Sequence, residues 1–279
     1  MKHLELDGRV ILEKLTDLAS PDREPIDGDV PAVILDVETT GLNHEKDEII
    51  QIALRPFFVN PTTGEVSGIK KPVAFLQQPS KPLPPIITEI TGFHDKDLEG
   101  HEIPWSKISK ILNYCQFIIA HNASFDRKWI DRVLKLNGCS PPSDAIWGCS
   151  MSQVEWRGIC RPSKALEVLC AWHGFFYDSH NALADVDATL HLLRMNSYMK
   201  ELVNNAVSSD YHVFPAGSER DENPLLKSRG YRWNPDLTTW WVSTASQQKA
   251  EEECEWLVAN LRKVDPQYFE IEPQHRFSE

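Results

Sequence analysis

The stretch AVILDVETTGL, residues 32–42, constrains this chain more than any other. Its four leading apolar residues, Ala32 to Leu35, read as a buried strand. Side chains alternate along a strand, so Asp36 and Glu38 share one face, with Val37 on the other. Strand interiors disfavour both acids. Two like charges at that spacing raise each other's pKa unless something neutralises them. A core strand that ends this way needs a positive partner at its end.

The rest of the chain supplies elements for a layered α/β fold. IIQIALR (49–55) is a second strand and 73–77 a third. QQPSKPLPPII is too proline-rich for a helix and reads as extended. A helix near 105–113 leads into the apolar strand FIIA, 117–120. In residues 124–136, Phe125, Trp129, Val133 and Leu136 recur at helical spacing. Residues 163–174 form another helix, ending at Gly174, and residues 182–199 a third. Residues 4–19, with Leu12, Leu15 and Leu18 near one face, read as a short amphipathic helix, followed by the polar linker SPDREPIDGDVP (20–31). Strands followed by mixed strands and helices predict a mixed sheet flanked by helices. The boundaries are 1–30 for the helix and linker, 31–209 for the main domain, and 210–279 for a small C-terminal ββα module.

Charge limits the partners. The net charge of −12 argues against a protein that coats a long duplex. It is compatible with one that grips a polyanion's end through bound metal. The opening MKHLELDGRV lacks a signal-peptide pattern and no run is long enough to span a membrane, so the expectation is a cytoplasmic protein. The six cysteines form no CxxC pair and read as reduced thiols.

Two further acids stand out. Asp126 follows FIIA at the start of a helix, in IAHNASFDRKWI, and Asp185 lies in DSHNALADVDATLHLL, five residues after His180. Taken singly, each suits a helix N-terminus, where acids are common, and spacing does not choose between Asp185 and Asp187. Taken together, the four acids form a set that divalent cations would stabilise. Two Mg²⁺ or Mn²⁺ ions about 3.5–4 Å apart promote attack by water and stabilise the leaving oxygen of a phosphodiester. A neutral histidine can take the proton from that water.

DVETTGL with DEIIQIAL, then AHNASFD, then HNALADVDATLHLL closely resemble the three motifs of the DEDDh (DnaQ-like) family of 3′–5′ exonucleases. IITEITGFHDKDL (86–98) resembles the stretch between the first two motifs. The resemblance covers roughly residues 31–200. It implies an RNase H-like fold, two divalent metal ions, and stepwise release of nucleoside 5′-monophosphates from a 3′ end, with single-stranded DNA favoured and RNA also open. By position it makes Asp36, Glu38, Asp126 and Asp185 the metal acids and His180 the general base. The H-x₄-D spacing then selects Asp185 over Asp187. It places Thr39 and Thr40 beside the terminal 3′-hydroxyl and Leu42 against the terminal base. Asn122 and Phe125 are further substrate candidates, although Asn122 also suits the turn and Phe125 the core. Where relatives often carry Asp-Thr, this chain reads AIWGCSM (145–151).

Two other functions fit the same residues. One is a proofreading subunit that acts mainly through a polymerase partner; the other is an inert nucleic-acid-binding module. A co-purifying polymerase would mark the first and absent hydrolysis in Mg²⁺ and Mn²⁺ the second. The C-terminal LKSRGYRWNPDLTTWWV reads as strand, turn and strand, with a helix at 246–261 and a frayed tail after Pro266. Alternation puts Tyr231 and Trp233 on one face, and gives one of Trp240 and Trp241 to the core. Aromatics interleaved with Lys227, Arg229 and Arg232 suit single-strand binding, but so short a module also needs aromatics for its own core.

Overall fold

The Ala32–Leu35 run lies inside a ten-residue strand, β1 (Val30–Thr39), in the computed structural model, which describes residues 5–6, 9–16, 23–156, 163–235 and 237–278. β1 pairs antiparallel with β2 (Ile49–Val59) and parallel with β5 (Phe117–Ala120), which pairs parallel with β6 (Ile146–Cys149). Short strands β3 (Val66–Ser67) and β4 (Val73–Leu76) both pair antiparallel with β2. The sheet is mixed, as the sequence predicts.

Alternation along β1 divides the core in two. Two short helices, α1 (Pro85–Thr91) and α2 (Asp95–Leu98), come first. Val33, Leu35 and Val37 pack with α3 (Trp105–Tyr114) and α4 (Ala123–Leu136). Ala32 and Ile34 pack with α5 (Leu166–Trp172), α6 (Ala182–Leu193) and α7 (Tyr198–Val207). Asp36 and Glu38 continue the Ala32–Ile34 row and therefore face the α6 side. The β5 pairing covers only Ala32–Ile34, so both acids lie beyond it, at the carboxyl end of β1. Ligand sites of open α/β sheets gather at that end.

The chain divides into two compact units, residues 1–206 with 277–279, and residues 207–276. The second has a four-stranded antiparallel sheet, ordered β8 (Arg232–Asn234), β9 (Thr239–Thr244), β7 (Asp210–Ala216) and β10 (Asp265–Ile271). Val213, Tyr231, Trp240, Ala250 and Leu257 form its core with α8 (Asn223–Ser228) and α9 (Gln247–Asn260). Among the described residues, no helix is long and apolar enough to cross a membrane. The five described cysteines are free thiols.

Several expectations need correction. Residues Glu13–Lys14 form a short strand, not a helix, and pair in parallel with Phe175–Phe176. A short helix is marginal on its own, and here Glu13 N–H and Leu15 N–H donate to the carbonyls of Gly174 and Phe176. Leu18 and the first three residues of the 20–31 linker lie outside the described residues, and the linker's last two, Val30 and Pro31, open β1. The proline-rich stretch enters a helix at its end, Pro85–Thr91, because Pro85 sits at the first helical position, where proline is pre-organised. The helix expected over 182–199 breaks into α6 and α7, since Asn196 (φ 47°) and Ser197 (φ 65°) turn left-handed between them. The tail beyond Pro266 is strand β10, fully paired with β7, so the module is larger than ββα. Tyr231 and Trp233 do not share a fate: the strand begins only at Arg232, leaving Tyr231 buried and Trp233 half exposed.

Candidate active site

Three carboxylates meet at the end of β1. One oxygen each from Asp36, Glu38 and Asp185 lie within 4.8 Å of one another. Asp126 lies outside that trio but next to it, 3% exposed in the first turn of α4. α4 starts directly after β5, which explains how a residue so distant in sequence reaches the same strand end.

The electrostatics are those of an anion cluster in which burial and like charges outweigh the groups that favour ionisation. Burial, then Asp126, Asp185 and Glu38, push the Asp36 carboxyl well above the usual range. Burial and Asp185 push Glu38 up to about 7. Burial raises Asp126 to about 8, against the backbone N–H groups of Asp126 and Val37, which favour its charged form. Asp185 is also raised by burial, opposed by hydrogen bonds and by His180. Four acids in this state are hard oxygen donors suited to divalent cations.

Asp185 is held in place by groups the sequence reading missed. Tyr177 Oη donates to Asp185 Oδ1 at 2.7 Å, and Asn181 N–H donates to Oδ2 at 3.0 Å. Gln51, opposite Glu38 on β2, accepts from Ala182 N–H at 3.0 Å and so pins the start of α6 to the sheet. Asn181 Oδ1 caps the same turn by accepting from Leu183 N–H at 3.1 Å. Gln51 and Arg55 carry a signal in the sequence, as polar residues inside an apolar strand. Tyr177 carries none beyond its nearness to His180.

Asp187 is not part of the cluster. Its two carboxylate oxygens accept from Arg55 Nε and Nη2. His180 is exposed and adopts a left-handed backbone, φ 63°.

The other candidates divide. β1 carries a bulge between Glu38 and Thr39, where the register skips Ile50. Bulges re-aim side chains beside functional sites. Thr39 is buried, its hydroxyl donating to Gly41 O at 2.6 Å. The Thr40 hydroxyl accepts from Glu48 N–H at 3.0 Å. Both hydroxyls are engaged within the loop. A Cβ at Gly41 would meet the Asp47 carboxylate and force it to shift from its bond with Asn43 N–H. Leu42 projects from this loop, 87% exposed. Asn122 is exposed just before α4 and accepts from Ser124 Oγ at 3.1 Å. Phe125 packs on the α4-side core, its ring 5.9 Å from that of Trp129.

The chain is similar to known proteins. The exonuclease family model RNase_T matches residues 33–193. Over 108 residues the chain is 35% identical to the DNA polymerase III PolC-type protein of Streptococcus pyogenes serotype M1, covering 37% of this chain and 7% of that protein. The serotype M5 (strain Manfredo) protein is 34% identical over 115 residues, 39% of this chain and 7% of that protein. The chain thus spans only a small part of the length of these relatives. Among solved structures, the zinc-bound E. coli ExoI–ssDNA complex aligns with a TM-score of 0.56 at 16% identity, over 82% of this chain and 67% of that one. E. coli exonuclease I with a dA16 oligonucleotide aligns at 0.55 and 16%, over 82% and 68%. At such identity the likeness is one of fold, a curled mixed sheet flanked by helices of the RNase H-like kind.

Proposed function

This chain belongs to the RNase_T exonuclease family, and from that premise we propose that it is a 3′–5′ exonuclease releasing nucleoside 5′-monophosphates, with single-stranded DNA its first substrate and RNA its second. The observation that carries the reading is the meeting of Asp36, Glu38 and Asp185 within 4.8 Å, beside buried Asp126. We assign this chemistry to residues 31–209.

The donor set fits two Mg²⁺ or Mn²⁺ ions, held by these four acids. When bound, such ions promote attack by water on the diester and stabilise the leaving oxygen. The chain's own groups do the rest. Tyr177 and the Asn181 amide favour the charged form of Asp185 and orient it. His180, exposed to solvent at the start of the third motif, accepts the proton of the attacking water. Thr39 and Thr40 hold the loop from which Leu42 wedges against the terminal base, and Asn122 and Phe125 border the strand's path.

A 5′-labelled single strand tests this directly. In Mg²⁺ it should shorten as a descending ladder, a blocked 3′ end should resist, and EDTA should abolish the reaction. Cleavage that begins at the 5′ end or internally would overturn the reading. Parallel DNA and RNA strands establish which sugar is preferred.

A second reading rests on the PolC-type relatives. In it the chain proofreads for a polymerase partner. Co-purification of a polymerase with the full chain would support it, and full activity of the isolated chain on free strands would argue against it.

A further inference from the structure

The second unit contains a pocket of about 240 Å³ that the chemistry above does not use, lined in part by Trp233, Trp240, Asn223, Arg220, Ser218 and Thr238. A small unit buries its aromatics to make a core, and Tyr231 (4% exposed) and Trp240 (7%) obey. Trp233 does not. It is 50% exposed, although it sits directly across from Trp240 in the hairpin. The two rings meet edge-on, 5.6 Å apart at 67°, so Trp233 is braced while half of its surface stays open.

The polar groups around it are set for a ligand. Trp240 Nε1–H donates to Asn223 Oδ1 at 2.9 Å. That bond orients the amide and leaves its NH₂ with no partner among the described residues. Arg220 likewise has no ion pair or hydrogen bond there. Its acidic neighbours are already engaged: Glu219, Asp221 and Glu222 pair with Arg262. Two bases of the aromatic motif are already engaged. Arg229 is bound to Glu253 and stacked 3.7 Å from the Trp256 ring, and Lys227 lies over Trp240 at 5.7 Å. Arg232, the third base of the motif, does not line the pocket, so among the described residues that line it the unpaired cation is Arg220, outside the aromatic motif itself.

A braced indole, an oriented amide, hydroxyls and a free guanidinium match a planar base carrying a phosphate. The pocket is smaller than the roughly 300–1,000 Å³ of drug-sized ligand sites, which suits one ring system. We propose that this pocket holds one base of single-stranded nucleic acid, stacked on Trp233, with Arg220 on the adjoining phosphate. The inference rests on the nuclease reading only in sharing its polymer. Joining a second site to the nuclease by one chain raises the effective concentration of the strand without any new contact at the active site.

The test uses the full chain in EDTA, so that binding is read without hydrolysis. The probes are fluorescent oligodeoxythymidylate and oligouridylate of about 12 nucleotides, within the usual site size. Trp233→Ala should weaken binding about five- to a hundred-fold, and Trp233→Phe should restore most of it. Arg220→Ala should reduce the slope of log K against log salt by about 0.7, the value for one phosphate contact on a single strand. In Mg²⁺, dinucleotide hydrolysis should not change in any of the three variants. Unaltered strand binding in Trp233→Ala and Arg220→Ala would overturn the proposal, as would a parallel fall in dinucleotide hydrolysis. A chain without hydrolysis would sink the nuclease reading, yet the binding arm would still decide this one.

Discussion

Arg55 of β2 grips Asp187 of α6 through both carboxylate oxygens, while Asp185, two residues earlier, is turned to Glu38 and Asp36. Two acids in one helical turn thus have opposite surroundings, one neutralised by a guanidinium and the other left among like charges.

Asp187→Ala should therefore cost stability and spare the chemistry. The Arg55 side chain is only 8% exposed, and removing one partner of a buried pair costs about 3–5 kcal/mol. Specific activity should hold at temperatures where the variant is folded. Asp185→Ala should do the reverse, losing hydrolysis and keeping or raising the melting temperature of the metal-free protein. Thermal unfolding and rate measurements on both variants check this. Matching losses of activity in the two would contradict it.

The metal-free protein should lose stability as pH rises. Glu38 (about 7) and Asp126 (about 8) titrate above their ordinary carboxylate values. Between about pH 4 and pH 8 the folded state then holds more protons than the unfolded one, so stability falls with rising pH. This contribution is fully present below the unfolded pKa and gone above pH 8. The melting temperature in EDTA should drop across that window, and Mg²⁺ or Mn²⁺ should raise it more at pH 8 than at pH 5. A flat profile in EDTA would show that the acids are already neutralised.

Tyr177→Phe removes the 2.7 Å donor to Asp185. Groups that orient metal-site ligands are typically worth 10–100-fold in metal affinity or activity, and a loss of that size in Mn²⁺ affinity is expected here. Burial and the nearby Asp185 raise the phenol's pKa, so it stays protonated and able to donate. Calorimetric titration with Mn²⁺ reads the loss, and excess metal should recover most of the rate. Unchanged affinity would reduce Tyr177 to a packing residue.

His180→Ala should slow hydrolysis about 10²–10⁴-fold, the usual worth of a positioned general base. Mn²⁺ binding should persist. The left-handed φ of 63° makes His180→Asn the better-tolerated backbone control and His180→Val a strained one. Single-turnover rates at saturating metal separate these effects. A His180→Asn variant as fast as the parent would move the base elsewhere.

The sequence by itself determined the acid-bearing strand, the shared face of Asp36 and Glu38, and the helix that carries Asp126. Each of these is local: alternation along a strand and recurrence along a helix report which side chains share a face, whatever lies opposite. The order of the three motifs carried the resemblance to the exonuclease family. Tertiary structure alone decided that Arg55, 132 residues from Asp187, would neutralise it, and that Tyr177 and Gln51 would hold Asp185 and its helix. It also decided that residues 13–14 would join a strand edge, that the 182–199 helix would break at Asn196, and that Trp233 would stay open while Tyr231 closed a core. In each case the deciding partner is distant along the chain or the choice turns on one backbone angle. Local periodicity describes a face but not what comes to cover it.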